Sequence, residues 1–301
     1  MSSDGRLREI GDGVYAYVQP DGGWCVNNAG LVHDGDAALL VDTAATHARA
    51  LALRDAVRGI TPRPPGVVVN THHHGDHTLG NAVFAPPATV VTHAATRHDM
   101  AARGTALRHV WPDVDWGEQP LVLPDLTFTE RLTVHVGRSE VRLWHPGPAH
   151  TNGDVVAWLP AQRVLFTGDI VMPGHTPFVL MGSVHGSLHA VAALAALEPE
   201  VVVGGHGPVA GPEAIEATTA YLRWLDDLAE RGLAAGLTPL AAALDADLGD
   251  FAGWGEPERL VANLHRAYAE RTGAPAGTYL PSAPVFAEMV TWHGGPLPCA
   301  A

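Results

Sequence analysis

One run of seven residues constrains this chain more than any other, because it concentrates metal-binding side chains at the end of an apolar stretch. The run THHHGDH begins at Thr71 and directly follows three consecutive valines and an asparagine. Imidazole and carboxylate groups are the ligands that hold zinc and similar divalent metals. In an extended segment His72 and His74 project to the same side, whereas Asp76 and His77 fall on a turn and point elsewhere. This pattern favours two neighbouring metals over one, and a metal site over a solvated histidine-rich turn.

Three further candidate ligands stand near the ends of predicted strands. Asp169 and His206 each follow an apolar stretch, and His150 lies in a loop between two predicted hairpins. Glycines near each of them allow the backbone to turn sharply. Each residue alone is more typical of an ordinary loop, but with the run they complete a ligand set for two metals. His73, in the middle of the run, gains no role from this set.

Composition limits the classes of function. The chain has 301 residues, 47% of them apolar and 17% charged, which is typical of a soluble globular protein. The formal net charge of −14 argues against nucleic acid and anionic membranes as partners. All basic residues are arginine, which excludes lysine Schiff-base and P-loop chemistry. Two cysteines are too few for a disulfide framework, and no signal sequence or apolar span is visible, so we expect a cytoplasmic protein.

The order of predicted elements indicates an α/β fold of two similar halves. In each half short strands, a helix and a further strand carry histidines at their loop ends. We predict a four-layer αβ/βα sandwich as a metal-binding core over residues 1–211, with a C-terminal helical portion, 212–301, packed on it. The predicted strands cover 14–18, 25–32, 37–41, 66–70, 132–136, 139–144, 154–159, 163–166 and 201–203. The predicted helices cover 45–57, 187–197, 212–232, 256–271 and 284–292.

Over about residues 10–210 the ligand set resembles that of the metallo-β-lactamase-fold hydrolases. The resemblance implies two zinc ions bridged by Asp169. The implied ligands divide into a first group, His72, His74 and His150, and a second group, Asp76, His77 and His206. Iron and manganese are the alternatives; di-iron members usually carry a glutamate where this chain has His74. Asp76 is also the implied catalytic residue, because it can hydrogen-bond an attacking water.

The resemblance also bears on the reaction. A bridging carboxylate at Asp169 resembles thioesterase-like members such as glyoxalase II, whereas true β-lactamases generally lack it. Two divalent metals lower the pKa of water and polarise an acyl carbonyl, which is what thioester hydrolysis requires. The same pair can stabilise an enolate, so proton abstraction next to a carbonyl is also within reach.

Several stretches outside the metal motifs resemble a narrower group, the bifunctional cyclase-thioesterases of aromatic (type II) polyketide pathways such as the actinorhodin pathway. These stretches are 22–26, 111–118, 172–178, 182–184, 201–212, 221–224, 260–267 and 294–299. The resemblance implies aldol-type ring closure of a carrier-protein-bound aromatic polyketide, then hydrolytic release of the thioester. The alternatives are a generic hydrolase of this fold (a glyoxalase II-like thioesterase, lactonase or lactamase) and a silent binding protein with a relict site.

The insert that follows Asp169 is unusually apolar for a loop beside a metal site, which predicts a pocket for a flat aromatic substrate. The alternative is that its side chains simply pack under the loop. The predicted substrate-binding residues are Trp24, Trp111, Trp116, His175, Phe178 and Met181.

An acidic protein that acts on an acidic acyl carrier protein needs a local basic patch. Arg97, Arg103 and Arg108 follow the first metal-bearing half, and we predict that they dock the carrier protein. The alternative is a solvated helix face with unrelated arginines.

Overall fold

A seven-stranded sheet carries the first half of the chain. The computed structural model describes residues 5–19 and 22–301, and all element counts refer to those residues. The strands are paired in sequential order: β1 (Arg6–Gly11), β2 (Val14–Val18), β3 (Ala29–Asp34), β4 (Ala37–Val41), β5 (Val67–Val69), β6 (Thr89–His93) and β7 (Leu126–Phe128). The first four form an antiparallel meander, and β4 to β7 are parallel. The parallel part aligns the carboxyl ends of its strands at one edge, where ligands gather in open α/β sheets.

A second sheet of five strands faces the first. Its order is β12-β11-β10-β9-β8, formed by β8 (Arg131–Val136), β9 (Ser139–Trp144), β10 (Val156–Leu159), β11 (Val164–Gly168) and β12 (Val201–Gly204). β11 and β12 are parallel and the other pairs are antiparallel. Val32, Leu39 and Val69 of the first sheet pack with Val141 and Phe166 of the second in one buried cluster. Burying each such side chain stabilises the fold by roughly 1.5–3 kcal/mol.

Helices cover the outer face of each sheet. The helices within the sandwich are α1 (His47–Arg58), α2 (Gly75–Thr78), α3 (Asn81–Phe84), α4 (Ala94–Arg103), α5 (Leu107–Val110) and α6 (Val184–Ala195). Leu53 and Val57 of α1 pack against Leu40 and Val68 on the outer face of the first sheet. The α6 helix shares a second cluster with Leu165 of the other sheet. The predicted four-layer sandwich is confirmed.

The last ninety residues are helical and pack against the second half of the sandwich. They form α7 (Glu213–Ala234), α8 (Pro239–Leu244), a 3-10 turn (Gly249–Phe251), α9 (Arg259–Arg271) and α10 (Ser282–His293). Thr238 caps α8 as its Oγ1 accepts from the Ala241 N–H at 3.2 Å, with Pro239 at the first helical position. Val261 and Leu264 of α9 belong to the same apolar cluster as α6. A boundary between two portions at residue 211 stays a prediction.

Several elements were not predicted. They are the strand β1, the short helices α2 and α3, and the whole stretch from β6 to β7 with α4 and α5 between them. Over residues 5–19 and 22–301, no helix has both the length and the apolar character needed to span a bilayer.

Candidate metal centre

The loops at one edge of the sandwich bring all seven predicted ligands together. The run from His72 to His77 follows β5, Asp169 follows β11 and His206 follows β12. His150 lies in the loop between β9 and β10. The seven side chains form two adjacent groups, and within each group the potential ligand atoms lie within 4.8 Å of one another.

The first group consists of three imidazoles and one carboxylate. Nε2 of His150 lies 2.9 Å from Nδ1 of His74 and 3.4 Å from Oδ2 of Asp169. Nε2 of His72 lies 3.8 Å from the same carboxylate oxygen. Nitrogen and oxygen atoms at such spacings surround a point that a divalent cation could occupy.

The second group faces the first across Asp169. Nε2 of His206 lies 3.3 Å from Oδ2 of Asp76, and Nε2 of His77 lies 3.8 Å from that oxygen. Asp169 Oδ1 lies 3.2 Å from His77 Nε2, and its Oδ2 lies 3.5 Å from His206 Nε2. One carboxylate therefore contacts both groups, as a bridging ligand would.

Four of the five imidazoles are oriented by a contact to the outer ring nitrogen, Nδ1, so that Nε2 faces the centre. The partners are Asp42 Oδ2 for His77 (2.8 Å), Gly22 O for His206 (3.0 Å), Thr71 Oγ1 for His72 (3.0 Å) and Phe178 O for His150. Such outer partners select the tautomer and hold the ring of a metal-binding histidine.

His74 is turned the other way. Its Nε2 lies 3.2 Å from Sδ of Met181, so Nδ1 faces His150 and the centre. His74 differs from the other four histidines in two respects. It is the N-cap residue of α2, and it is the only partly exposed member of the set.

Three atoms of the ligand set are among the buried polar atoms of the described chain that have no hydrogen-bond partner, and they face the centre: His72 Nε2, His77 Nε2 and Asp169 Oδ1. A buried polar atom without a partner costs about 1–3 kcal/mol. Imidazole and carboxylate atoms that converge in this way are the donor set of a zinc site. The residues therefore fit a pair of divalent metal ions.

The imidazoles of the first group are in the deprotonated form at neutral pH. Burial lowers the pKa of His74 to about 3 and the pKa of His150 to about 4. Burial also lowers the pKa of His72 well below its usual value. All three are therefore neutral at pH 7, which is the form that coordinates a cation.

The second group behaves differently because carboxylates surround it. Burial disfavours a charge on His206, but Asp169 and Asp76 outweigh that effect and raise its pKa to about 9. Burial likewise disfavours ionised Asp76, yet His77 and His206 lower its pKa to about 2. Without metal this group is an imidazolium–carboxylate cluster, and a metal that binds there must displace a proton from His206.

Glycines permit the close approach of the two halves. A Cβ on Gly205 would lie 1.8 Å from Oδ1 of Asp169. Gly168 has φ of 52°, and a Cβ there would lie 2.7 Å from the side chain of Thr71. Any larger residue at either position would displace the carboxylate or the loop that carries the run.

A cleft opens directly over the two groups, and three of the predicted substrate-binding residues line it: Trp24, Phe178 and Met181. Phe286 of α10 also lines the cleft, with its ring centroid 6.1 Å from that of Trp24 and 6.2 Å from that of Phe178. The wall beside the metal centre is therefore aromatic, and part of it comes from the C-terminal helices.

The other three predicted substrate-binding residues do not line this cleft, and their role in substrate binding stays a prediction. The ring centroid of Trp111 lies 5.4 Å from that of Trp24 with the two planes tilted, and Trp111 lines a neighbouring groove. Trp116 is buried, and its indole N–H donates to the Trp111 carbonyl (3.0 Å). His175 is buried with Nδ1 3.1 Å from the Pro173 carbonyl. These side chains support the wall rather than form its surface.

The three arginines predicted to dock a carrier protein have different surroundings. Arg97 donates to the Pro124 carbonyl (2.9 Å), and Arg108 donates to the Gln119 carbonyl (3.1 Å). Arg103 lines the cleft and lies 5.0 Å over the ring of the exposed Tyr279. Of the three, Arg103 is the one positioned to meet a ligand at the cleft.

Sequence reasoning missed several residues of the site. Asp42 holds His77, and Arg259 and Phe286 line the cleft from the C-terminal helices. Asp42 directly follows the buried strand β4 and has a φ of 59°. His73 is buried and lines the cleft beside His74.

Comparison with known proteins agrees with this geometry. The family model for the metallo-beta-lactamase superfamily matches residues 22–206, which include all seven predicted ligands. The chain belongs to this superfamily. The match ends before α7, so the superfamily region does not include the C-terminal helices.

The curated proteins that are similar to this chain differ in their named activities. A 2,4-dinitroanisole O-demethylase subunit alpha from a Nocardioides strain is 31% identical over 176 residues, 57% of this chain and 46% of the relative. A type 2 metallo-beta-lactamase from Bacteroides fragilis is 24% identical over 72% of this chain and 85% of its own length. A hydroxyacylglutathione hydrolase from Methylococcus capsulatus is 30% identical over 46% of each chain. The chain thus spans about half the length of the first and third.

Solved structures support the fold. A metallo-beta-lactamase from Pontibacter korlensis superposes with a TM-score of 0.61 at 24% identity, covering 73% of this chain and 99% of its own. One from Erythrobacter litoralis gives the same TM-score at 21% identity over 74% of this chain and 98% of its own. About a quarter of this chain lies outside either match.

Proposed function

We propose that this protein is a dinuclear zinc hydrolase that cleaves an acyl thioester. The observation that carries the proposal is the position of Asp169, whose two oxygens contact both histidine groups within 3.2–3.8 Å. A carboxylate between the two groups is the feature by which the sequence resembles thioesterase-like members. The relatives named as hydroxyacylglutathione hydrolases support the same class of substrate.

In this proposal the two groups would hold one ion each, with Asp169 between them. Bound divalent cations lower the pKa of water and polarise a carbonyl oxygen. Asp76 lines the cleft and is ionised at neutral pH, so its carboxylate can accept a hydrogen bond from an attacking water and orient it. The buried outer partners keep the imidazoles in position and exclude alternative tautomers.

The finer proposal concerns the acyl group. Trp24, Phe178 and Phe286 present aromatic rings with centroids 5.5–6.2 Å apart, and they line the cleft over the ligand groups. Such a wall suits a flat aromatic acyl group, and it supports a cyclase-thioesterase that acts on a carrier-protein-bound aromatic polyketide. Ring closure would then precede or accompany release of the product.

A substrate panel tests the proposal. Zinc-loaded protein would be assayed with lactoylglutathione, a cephalosporin, an acyl-homoserine lactone and an aromatic β-ketoacyl thioester. We expect hydrolysis of thioesters, fastest for the aromatic one, that is abolished by chelator and restored by zinc. Preferential cleavage of the cephalosporin or the lactone would contradict the thioesterase proposal. Preference for lactoylglutathione would keep the thioesterase and reject the aromatic acyl group.

The carrier protein is a separate part of the proposal. Arg103 is the candidate contact, because it lies at the cleft beside exposed Tyr279. Arg103→Glu should slow turnover of a carrier-protein thioester and spare the same acyl group on a small thiol. Equal effects on both substrates would contradict a docking role.

A further inference from the structure

A buried arginine stands in the wall of the metal cleft. Arg259 is the first residue of α9, lies outside the superfamily match and is 2% exposed, yet it lines the cleft together with Asp76, His150 and Asp169. Guanidinium is charged at every physiological pH, and a buried charge is costly unless partners compensate it.

The partners of Arg259 within the chain compensate this charge only in part. Its NH1 donates to the Thr176 carbonyl at 3.0 Å and lies 3.4 Å from Sδ of Met172. Its NH2 lies 3.7 Å from the Glu256 carboxylate, which is longer than a hydrogen bond. Its Nε has no hydrogen-bond partner in the described chain. Of the five N–H donors of the guanidinium, those of NH2 and Nε make no hydrogen bond within the described chain.

The neighbouring carboxylate, that of Glu258, contacts Trp24 rather than Arg259. Glu258 is 1% exposed and accepts the indole N–H of Trp24 at 2.6 Å, and its other oxygen lies 3.9 Å from Nδ1 of His293. The ring of Trp24 in turn lies 4.1 Å beneath the Arg259 guanidinium. Glu258 thus holds the aromatic platform, and the platform holds the guanidinium flat against the cleft wall.

We propose that Arg259 binds an anionic oxygen of the substrate, a carboxylate or an ionised enol carried by the acyl group at a distance from the bond that is cleaved. The inference rests on the proposed thioesterase function for the identity of the ligand. The aromatic part of the acyl group would lie on Trp24, Phe178 and Phe286, with its anionic oxygen on the planar donors of Arg259.

Matched thioesters test this site. Three N-acetylcysteamine thioesters would share one naphthalene acyl group that carries a carboxylate, a phenol or a primary carboxamide on its far ring. For wild-type protein we expect kcat/KM for the carboxylate ester to exceed that for the carboxamide by about 10-fold or more, which is the size of a charge-assisted hydrogen bond. A preference for the phenol that appears only above its pKa would identify an ionised enol as the ligand.

Arg259→Gln should bring the carboxylate-to-carboxamide ratio of kcat/KM close to one. The control is Arg266→Gln, which removes a second buried arginine of the same helix that donates to the Leu180 carbonyl at 2.9 Å; this variant should keep the preference. If Arg259→Gln does not fold, Arg259→Lys should reduce the preference severalfold, because lysine lacks the planar fork. A folded Arg259 variant that keeps the wild-type ratio would overturn the proposal, as would equal wild-type rates on all three esters.

Failure of the proposed function would look different. If zinc-loaded protein hydrolyses none of the esters, calorimetry on metal-depleted protein can still compare a naphthalene dicarboxylate with its monocarboxamide. Wild-type protein should then bind the dicarboxylate about 10-fold more tightly than Arg259→Gln does, with no such difference for the carboxamide. Equal binding by the two proteins would overturn the Arg259 site by itself.

Discussion

Replacing Asp42 by asparagine should weaken metal binding although Asp42 touches no metal. Asp42 is buried after β4, and its carboxylate accepts three hydrogen bonds. The Thr71 N–H donates to Oδ1 at 2.7 Å, and Oδ2 accepts from Thr71 Oγ1 at 2.7 Å and from His77 Nδ1 at 2.8 Å. The three donors use both carboxylate oxygens, whereas asparagine offers one oxygen and one NH2 group.

The size of the effect follows from this geometry. If the amide oxygen faces His77, the NH2 group faces the backbone N–H of Thr71; in the other orientation it faces His77. In the first orientation one donor loses its acceptor, and in the second two donors do, because Thr71 Oγ1 and His77 Nδ1 share Oδ2. At least one charge-assisted bond disappears in either case, which costs about 1.5–3 kcal/mol. Partners of metal-bound histidines typically contribute 10–100-fold to metal affinity, and we expect a loss of that size.

Competition between the protein and a chromogenic zinc chelator measures this affinity, with circular dichroism as a check on folding. The matched control is Asp99→Asn, since Asp99 is a buried carboxylate of α4 that pairs with Arg103 at 3.3 Å. The control should bind zinc within about twofold of wild type. Wild-type affinity in a folded Asp42→Asn protein would refute the argument that Asp42 orients His77.

Three further predictions can be checked on the same protein. His150→Ala and Asp169→Ala should lose both bound metal and thioester hydrolysis, measured by elemental analysis and assay; wild-type rates with depleted metal in either would contradict the dinuclear mechanism. In metal-free protein the raised pKa of His206 contributes stability that is fully present below pH 6.5, so the free energy of unfolding should fall by roughly 3 kcal/mol as pH rises from 6.5 through about 9. His77, whose pKa is also raised, contributes in the same direction. Zinc-loaded protein should lack this fall, and an equal fall in both forms would contradict the assignment to these two histidines. Phe178→Ala should raise KM for an aromatic thioester severalfold and leave that of a small acyl thioester unchanged; equal increases would argue against an aromatic acyl site.

The elements that could be predicted are those with strong local patterns. Short apolar runs followed by turn residues predicted β4, β5 and β12. The stretch from β6 to β7 lacks such a pattern, because α5 has only four residues and β7 only three. Elements this short are specified by packing against their neighbours rather than by their own periodicity.

The same contrast holds for the site. The candidate ligands could be proposed from their residue types and loop positions, and their division into two groups was implied by the family resemblance; the structure brings all seven together. Asp42 acts on His77, 35 residues away, and Arg259 reaches the cleft from a helix beyond the superfamily region. Contacts between residues so far apart in the sequence produce no recognisable pattern around either residue. Trp116 and His175 were predicted from composition and neither lines the cleft, because apolar composition does not reveal which side of a loop faces a cleft.

The most direct test of the account is a zinc titration of metal-depleted protein in which bound metal and thioester hydrolysis are measured on the same samples. The two groups joined by Asp169 predict about two zinc ions per chain, with full hydrolysis reached only when both are bound. Full hydrolysis at one ion per chain, or saturation below about one ion per chain, would contradict a bridged dinuclear centre.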